Sequence, residues 1–259
     1  MRLNHMNQLQ NQVAIVTGAS SGIGRAAASL FASEGAAVVV TARRQSSLAQ
    51  LVDEIERAGG RAMAVSGDIA DPDLARQLVD AAETHFGGLD IAFNNAATLG
   101  PVGPIEAIEP NDWARTLQVN LRSAFLLAQQ QITPLRRRGG GSLIFTGTFV
   151  GHTAGFSGMS AYAASKSGLI GLVQALATEV GETGIRVNAL LPGGTDTPMG
   201  RQLTDDPAAL AAVARLHALR RLAQPAEIAR AALFLASASA SFVTGSALRV
   251  DGGVSVQRF

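Results

Sequence analysis

The chain has no cysteine among its 259 residues. That excludes disulfides, thiolate zinc sites and a cysteine nucleophile. Histidine is scarce as well: His5, His85, His152 and His217 are far apart and lack metal-ligand spacing, so no metal site is expected. An excess of either charge is also missing. With 21 basic and 20 acidic side chains the formal charge is +1, which offers no electrostatic footprint for nucleic acid or an anionic membrane. No run of about 18 or more apolar residues suggests a membrane span. The polar start, residues 1–12, has no apolar core of a signal peptide. The expectation is a soluble cytoplasmic protein with no nucleic-acid or membrane partner. Residues 1–11 read as a flexible N-terminal extension, and 12–259 as one domain.

What is present is apolar sequence cut into short runs. Hydrophobic residues make up 47% of the chain, enough for strands buried on both faces. Runs at 13–17, 36–41, 61–66, 89–93, 142–146, 186–191 and 247–250 read as strands. Between most of them lie helix-prone segments, at 25–33, 48–58, 74–86, 113–131, 162–180 and 225–236. Asp71-Pro72 is an N-cap followed by proline at the first helical position. Alternating strands and helices imply a single-domain, doubly wound parallel α/β sheet, Rossmann-like, with helices on both faces. Ligands of such sheets bind beyond the carboxyl ends of the strands.

The unusual stretches follow strands. After the first comes Gly18-Ala-Ser20-Ser21-Gly22-Ile23-Gly24, where glycines let backbone N–H groups and a helix N-terminus approach a phosphate. The second strand ends in Ala42-Arg43-Arg44. NAD-specific dinucleotide folds place a carboxylate there, and Arg43 instead suits a 2′-phosphate. Later, Tyr162 and Lys166 stand four residues apart in a helix-prone segment, and Tyr162 is the one tyrosine of the chain. That spacing puts both on one helix face. An ammonium near the phenol is expected to pull its pKa below the usual value of about 10.

Together, Thr17-Gly18-x-x-x-Gly22-Ile23-Gly24, Asn94-Asn95-Ala96, Asn120, Tyr162-x-x-x-Lys166 and Pro192-Gly193 resemble the short-chain dehydrogenase/reductase family, from about residue 12 to 254. The resemblance implies hydride transfer between a nicotinamide cofactor and a carbonyl or alcohol carbon. Tyr162 would be the acid or base. Lys166 would lower its pKa and bind the nicotinamide ribose, and Asn120 would hold a water linking the lysine to solvent. The cofactor would be held by Gly18, Ser20, Ser21, Gly22, Ile23, Gly24, Arg43, Asp68, Ile69, Asn95, Ala96, Tyr162, Lys166, Pro192, Gly193, Thr195 and Thr197. Asp68 would accept from the adenine amino group, while Thr195 and Thr197 would face the nicotinamide.

Two departures stand out. Thirteen residues before Tyr162, where the family has a serine, lies Phe149. A loop one residue longer would put Thr148 in that serine's place, with a hydroxyl to donate but a β-methyl that restricts it. Ala97 replaces the family's usual glycine. Residues 199–219 are poor in structural signals and by resemblance form a mobile lid, which with Leu99, Phe149, His152 and Phe156 would shape a mostly apolar pocket. NADP(H) is the expected cofactor, with NAD(H) possible, and a small carbonyl or alcohol the substrate. A 3-oxoacyl-carrier-protein reductase and a non-catalytic nucleotide-binding regulator are the rival readings. Small residues on the helix at 162–180 fit either ordinary core or, as the resemblance favours, a homodimer or homotetramer contact.

Overall fold

The computed structural model describes residues 7–204 and 206–257. Seven strands, β1 (Val13–Thr17), β2 (Ala37–Ala42), β3 (Arg61–Ser66), β4 (Ile91–Asn94), β5 (Gly141–Thr146), β6 (Ile185–Pro192) and β7 (Ala247–Val250), form one sheet in the order β3-β2-β1-β4-β5-β6-β7. Every pairing is parallel. The order reverses between β1 and β4, so the loops leaving these strands diverge and open a crevice at their carboxyl ends. This is the doubly wound fold expected from the alternation of elements.

Side chains leave the sheet on alternate faces. Ala14, Val16, Val38 and Val40 point into one core with α1 (Gly22–Ser33), α2 (Gln45–Arg57) and α9 (Pro225–Ala236). Val13, Ile15 and Val39 point into the other, with α3 (Pro72–Phe86), α5 (Ser123–Arg137) and α6 (Ser160–Val180). Helix starts follow the expected chemistry. Asp71 Oδ1 accepts the Asp73 N–H at 3.0 Å, with Pro72 opening α3.

Three expectations need correction. Residues 1–6 lie outside the described residues, but the remainder of the assumed extension is anchored. Leu9 is fully buried in the core cluster that also holds Phe31 and Leu51, and its N–H donates to the Glu34 carbonyl. A single leucine beside polar residues carries no periodic signal. The single helix expected over 113–131 is instead α4 (Pro110–Leu117), a π-helical turn (Gln118–Arg122) and α5. Residues 199–219, expected to be poor in structure, contain most of α7 (Pro198–Arg201) and all of α8 (Pro207–Arg215). Asp206 caps α8 by accepting from the Ala208 and Ala209 N–H groups, the same Asp-Pro device that starts α3.

Candidate active site

The ends of β1, β4 and β5 are tied together by side chains. Thr17 Oγ1 accepts the N–H groups of Asn95 and Ala96, both at 2.9 Å. Asn95 Nδ2 donates to the Thr17 carbonyl at 3.1 Å, and its Oδ1 accepts from Thr146 Oγ1 at 3.1 Å. The glycine loop packs on this brace. A Cβ on Gly18, whose φ is +68°, would stand 2.9 Å from the Ala96 Cα, and one on Gly24 would collide with the Gly18 carbonyl oxygen. Ser21, at the N-cap of α1, makes no side-chain capping bond. The first-turn N–H groups therefore have no side-chain acceptor, and their partial positive charge faces outward. A backbone cradle of this kind, at a helix N-terminus, fits a pyrophosphate.

At the outer edge of the crevice, Arg43 and Arg44 are exposed after β2. Arg44 Nη2 donates to Ser20 Oγ at 3.2 Å, so one guanidinium already rests on the glycine loop. Asp68 is occupied locally. Its Oδ1 accepts the Ala70 N–H at 3.0 Å, and its Oδ2 accepts from Arg115 Nη2 of α4 at 2.6 Å. The Ala70 N–H and then the Arg115 guanidinium hold this carboxyl below the usual range, against the effect of burial. Ile69 beside it is partly buried.

Deeper in, the structure brings Thr148, Tyr162, Lys166 and Asn120 together. The Thr148 side chain lies near enough to the Tyr162 phenol to lower its pKa, and its Oγ1 accepts the Val150 N–H at 3.3 Å. The expected effect of Lys166 on the tyrosine is not found. Lys166 Nζ donates to the Thr146 carbonyl at 2.6 Å. Burial pushes Tyr162 up to about 12, opposed only by the Thr148 side chain. The same burial pushes Lys166 down to about 8. At neutral pH the phenol is protonated.

Asn120 sits in the π-helical turn and is buried. Its Nδ2 donates to the Thr98 carbonyl and to Ser165 Oγ, each at 2.9 Å, and its Oδ1 accepts the Thr98 N–H at 2.8 Å. The side chain thus braces the loop after β4 against α6, one residue before Lys166. Beside it lies a cavity of about 10 Å³ lined by Thr17, Thr146, Asn120, Ser123 and Lys166 among others. That is about the space one water needs.

The far wall comes from the loop after β6. Gly193 passes so close to β7 that a Cβ there would lie 2.7 Å from the Asp251 Cα, and its N–H donates to the Val250 carbonyl. Thr195 Oγ1 donates to the Gly193 carbonyl at 3.0 Å. Thr197 caps α7 by accepting the Gly200 N–H at 3.1 Å. Its methyl faces Gly22, where a Cβ would approach to 3.0 Å. The loop after β6 thus reaches the glycine loop through Thr197. Leu99, Phe149, Val150 and Met159 form an apolar cluster with Phe156, Tyr162 and Met199 packed against it. Phe149 and Phe156 meet edge to face, 5.4 Å between centroids. His152 stands outside this cluster, exposed on a turn.

Two features were passed over in the sequence. Lys166 is the one lysine, every other basic residue being arginine, a count that sharpens the Tyr162–Lys166 signal. His217 follows α8 by two residues and is buried beneath the loop after β6. Nothing in its local sequence marks it. Among the described residues no group of acidic or histidine side chains is arranged to hold a metal, and no helix is long and apolar enough to cross a membrane.

Known proteins resemble this chain over nearly its whole length. A family model described as enoyl-(acyl carrier protein) reductase matches residues 18–255. Cyclohexanol dehydrogenase of Acinetobacter sp. (strain SE19) is 38% identical over 246 residues, 95% of this chain and 96% of that protein. A 3-oxoacyl-[acyl-carrier-protein] reductase of Vibrio cholerae is 37% identical, covering 95% of this chain and 98% of its own. A solved 7α-hydroxysteroid dehydrogenase, complexed with NADH and 7-oxo glycochenodeoxycholic acid, superposes with a TM-score of 0.90 at 36% identity, over 95% of this chain and 96% of that one.

Proposed function

The chain belongs to the short-chain dehydrogenase/reductase family, an oxidoreductase of alcohol and carbonyl groups, and on that premise we propose that it reduces apolar ketones or aldehydes with NADP(H). The observation that carries this reading is the half-buried Tyr162 hydroxyl, held protonated at neutral pH, with Thr148 beside it and apolar side chains around it. When bound, the nicotinamide supplies the hydride. Thr148 and Tyr162 hold the substrate oxygen, and Tyr162 gives it a proton as negative charge develops there. The cavity between Asn120 and Lys166 is where a water would return a proton to the site. Lys166 and Asn120 keep the first turn of α6 and the loop after β4 in register around it.

For the cofactor, residues 18–24 and the open N-terminus of α1 receive the pyrophosphate. Asp68 and Ile69 lie at the adenine end, Asn95 and Ala96 at the floor, and Pro192, Gly193, Thr195 and Thr197 at the nicotinamide end. Arg43, with no carboxylate at the end of β2, favours a 2′-phosphate, although the hydroxysteroid dehydrogenase relative was solved with NADH. The apolar cluster around Phe149 and Phe156 suits an alicyclic or other hydrophobic substrate. A second reading, reduction of 3-oxoacyl thioesters, is favoured by the Vibrio cholerae relative. We also propose a homodimer or homotetramer, which light scattering reads directly. The deciding experiment follows absorbance at 340 nm with NADPH and with NADH over cyclic ketones, aldehydes and 3-oxoacyl thioesters. Turnover of an apolar ketone with NADPH is expected. Turnover of thioesters alone moves the assignment to the second reading, and no turnover with any carbonyl refutes both.

A further inference from the structure

The imidazole of His217 is buried, and both of its nitrogens are paired across two different elements. Nε2 accepts the backbone N–H of Gly194 at 2.9 Å. Nδ1 lies 2.9 Å from the carbonyl oxygen of Val213 in α8. Because an N–H already points at Nε2, that nitrogen presents its lone pair, so the proton must sit on Nδ1 and be donated to Val213. The ring also meets Phe149 edge-on, 6.5 Å between centroids. Space for it is made by glycine: a Cβ on Gly194 would stand 2.9 Å from the ring Cε1, and one on Gly252 3.5 Å from Cδ2. One side chain therefore touches the loop after β6, α8 and the residue next to Thr148.

We propose that His217 is a positioning residue that fixes the Gly194 segment at the nicotinamide end and couples it to α8. Gly194 lies between Gly193 and Thr195, so its N–H orientation sets where those residues face the crevice. Without an acceptor that buried N–H must turn toward another partner, and the loop turns with it. The Val213 bond carries the same constraint into α8. The inference rests on the assignment of Thr195 and Thr197 to the nicotinamide end.

The two bonds are separable by substitution. Glutamine extends an amide oxygen to about the place of Nε2, whereas asparagine places its amide near Nδ1 and cannot reach Gly194. Phenylalanine removes both bonds. The first measurement is hydrogen–deuterium exchange of the backbone over residues 190–197 and 207–215 in the full chain, with no ligand added. The Gly194 amide is expected to exchange at least about tenfold faster in His217→Asn and His217→Phe than in wild type, and to stay protected in His217→Gln. The second is the Kd of NADPH against that of 2′-phospho-ADP-ribose, by calorimetry. In the asparagine variant the dinucleotide is expected to weaken about tenfold, and the fragment lacking nicotinamide by less than about twofold, with glutamine restoring the dinucleotide. Equal exchange and equal binding in the Gln and Asn variants would overturn the proposal, as would parallel loss of both ligands, which marks a general loss of folding. Whether wild type binds the dinucleotide at all tests the cofactor assignment, and the exchange measurement stands apart from it.

Discussion

The Lys166 ammonium donates to the carbonyl oxygen of Thr146 at 2.6 Å, at the end of β5, one helical turn after Tyr162 on α6. Lys166 is buried and Tyr162 half-buried, and loss of water acts on each toward its neutral form. The tyrosine is therefore protonated at neutral pH, which fits the general acid proposed for it.

Because Tyr162 is the one tyrosine, its ionisation is visible by itself at 295 nm. The native protein should show that step near pH 12, against the ordinary value of 10.0 once unfolded. Between these values the folded state holds more protons than the unfolded chain, so stability falls as pH rises through the window. Lys166 acts in the opposite sense. Its pKa moves from 10.5 down to about 8, the unfolded chain binds more protons in between, and stability rises with pH there. Each slope is at most about 1.4 kcal/mol per pH unit. In Lys166→Met the rise should disappear from a plot of Tm against pH. A native 295 nm step at or below pH 10 would contradict this effect of burial on the phenol.

Replacing the hydroxyls separates acid from donor. Tyr162→Phe should lower kcat by ~10²–10⁴-fold, the range for a lost general acid, while leaving the Kd of NADPH within about twofold. Thr148→Val keeps the shape and removes the donor, which at the upper end is worth about 2.7–4 kcal/mol in the transition state. Thr148→Ser should match or exceed wild type, since it keeps the hydroxyl without the β-methyl. Wild-type turnover in the valine variant would mean that the hydroxyl beside Tyr162 does not act on the substrate.

The sheet was legible because short strand runs bounded by turns, and helix caps, are local signals: Val13–Thr17, Arg61–Ser66 and Ala247–Val250 were read to the residue. So was the gathering of Gly18, Tyr162 and Pro192 at one edge, since each follows a strand or opens a helix. What could not be read depends on partners distant in sequence. The π-helical turn at Asn120 is held by the Thr98 backbone and Ser165. The direction of Lys166 depends on where Thr146 ends β5. Asp68 meets Arg115 from a helix 47 residues on. His217 means nothing until Gly194 and Val213 are placed around it.

Leu9 offers a test of the N-terminal segment that needs no ligand. It is among the largest fully buried side chains and belongs to the core cluster that includes residues of α1 and α2. Leu9→Ala removes most of that side chain and leaves a cavity, which should cost about 2–5 kcal/mol in urea unfolding followed by the fluorescence of Trp113, the one tryptophan. A change below about 0.5 kcal/mol, the range for surface substitutions, would return residues 7–11 to the status of an extension.

The last prediction concerns which cofactor is preferred, and it turns on two adjacent arginines in different situations. Arg44 already donates to Ser20 on the glycine loop at 3.2 Å. Arg43 is exposed at the end of β2, where it draws the Asp68 carboxyl down only through its charge. A 2′-phosphate at the end of β2 would meet Arg43 as a new partner, whereas Arg44 would have to share its guanidinium with Ser20. A charge-assisted hydrogen bond is worth roughly 1.5–3 kcal/mol, which corresponds to about ten- to a hundredfold in affinity. Arg43→Ala should therefore weaken NADPH by that factor and leave NADH within about twofold, while Arg44→Ala should affect both cofactors less, since it loosens the loop and not the phosphate contact. Adding Ala42→Asp supplies a carboxylate for the ribose 2′-hydroxyl and repels the phosphate, so the double variant Ala42→Asp/Arg43→Ala should reverse the order of kcat/KM. A wild-type enzyme that already uses NADH better than NADPH, with Arg43→Ala leaving that ratio unchanged, would show that Arg43 is only a solvated charge beside the crevice.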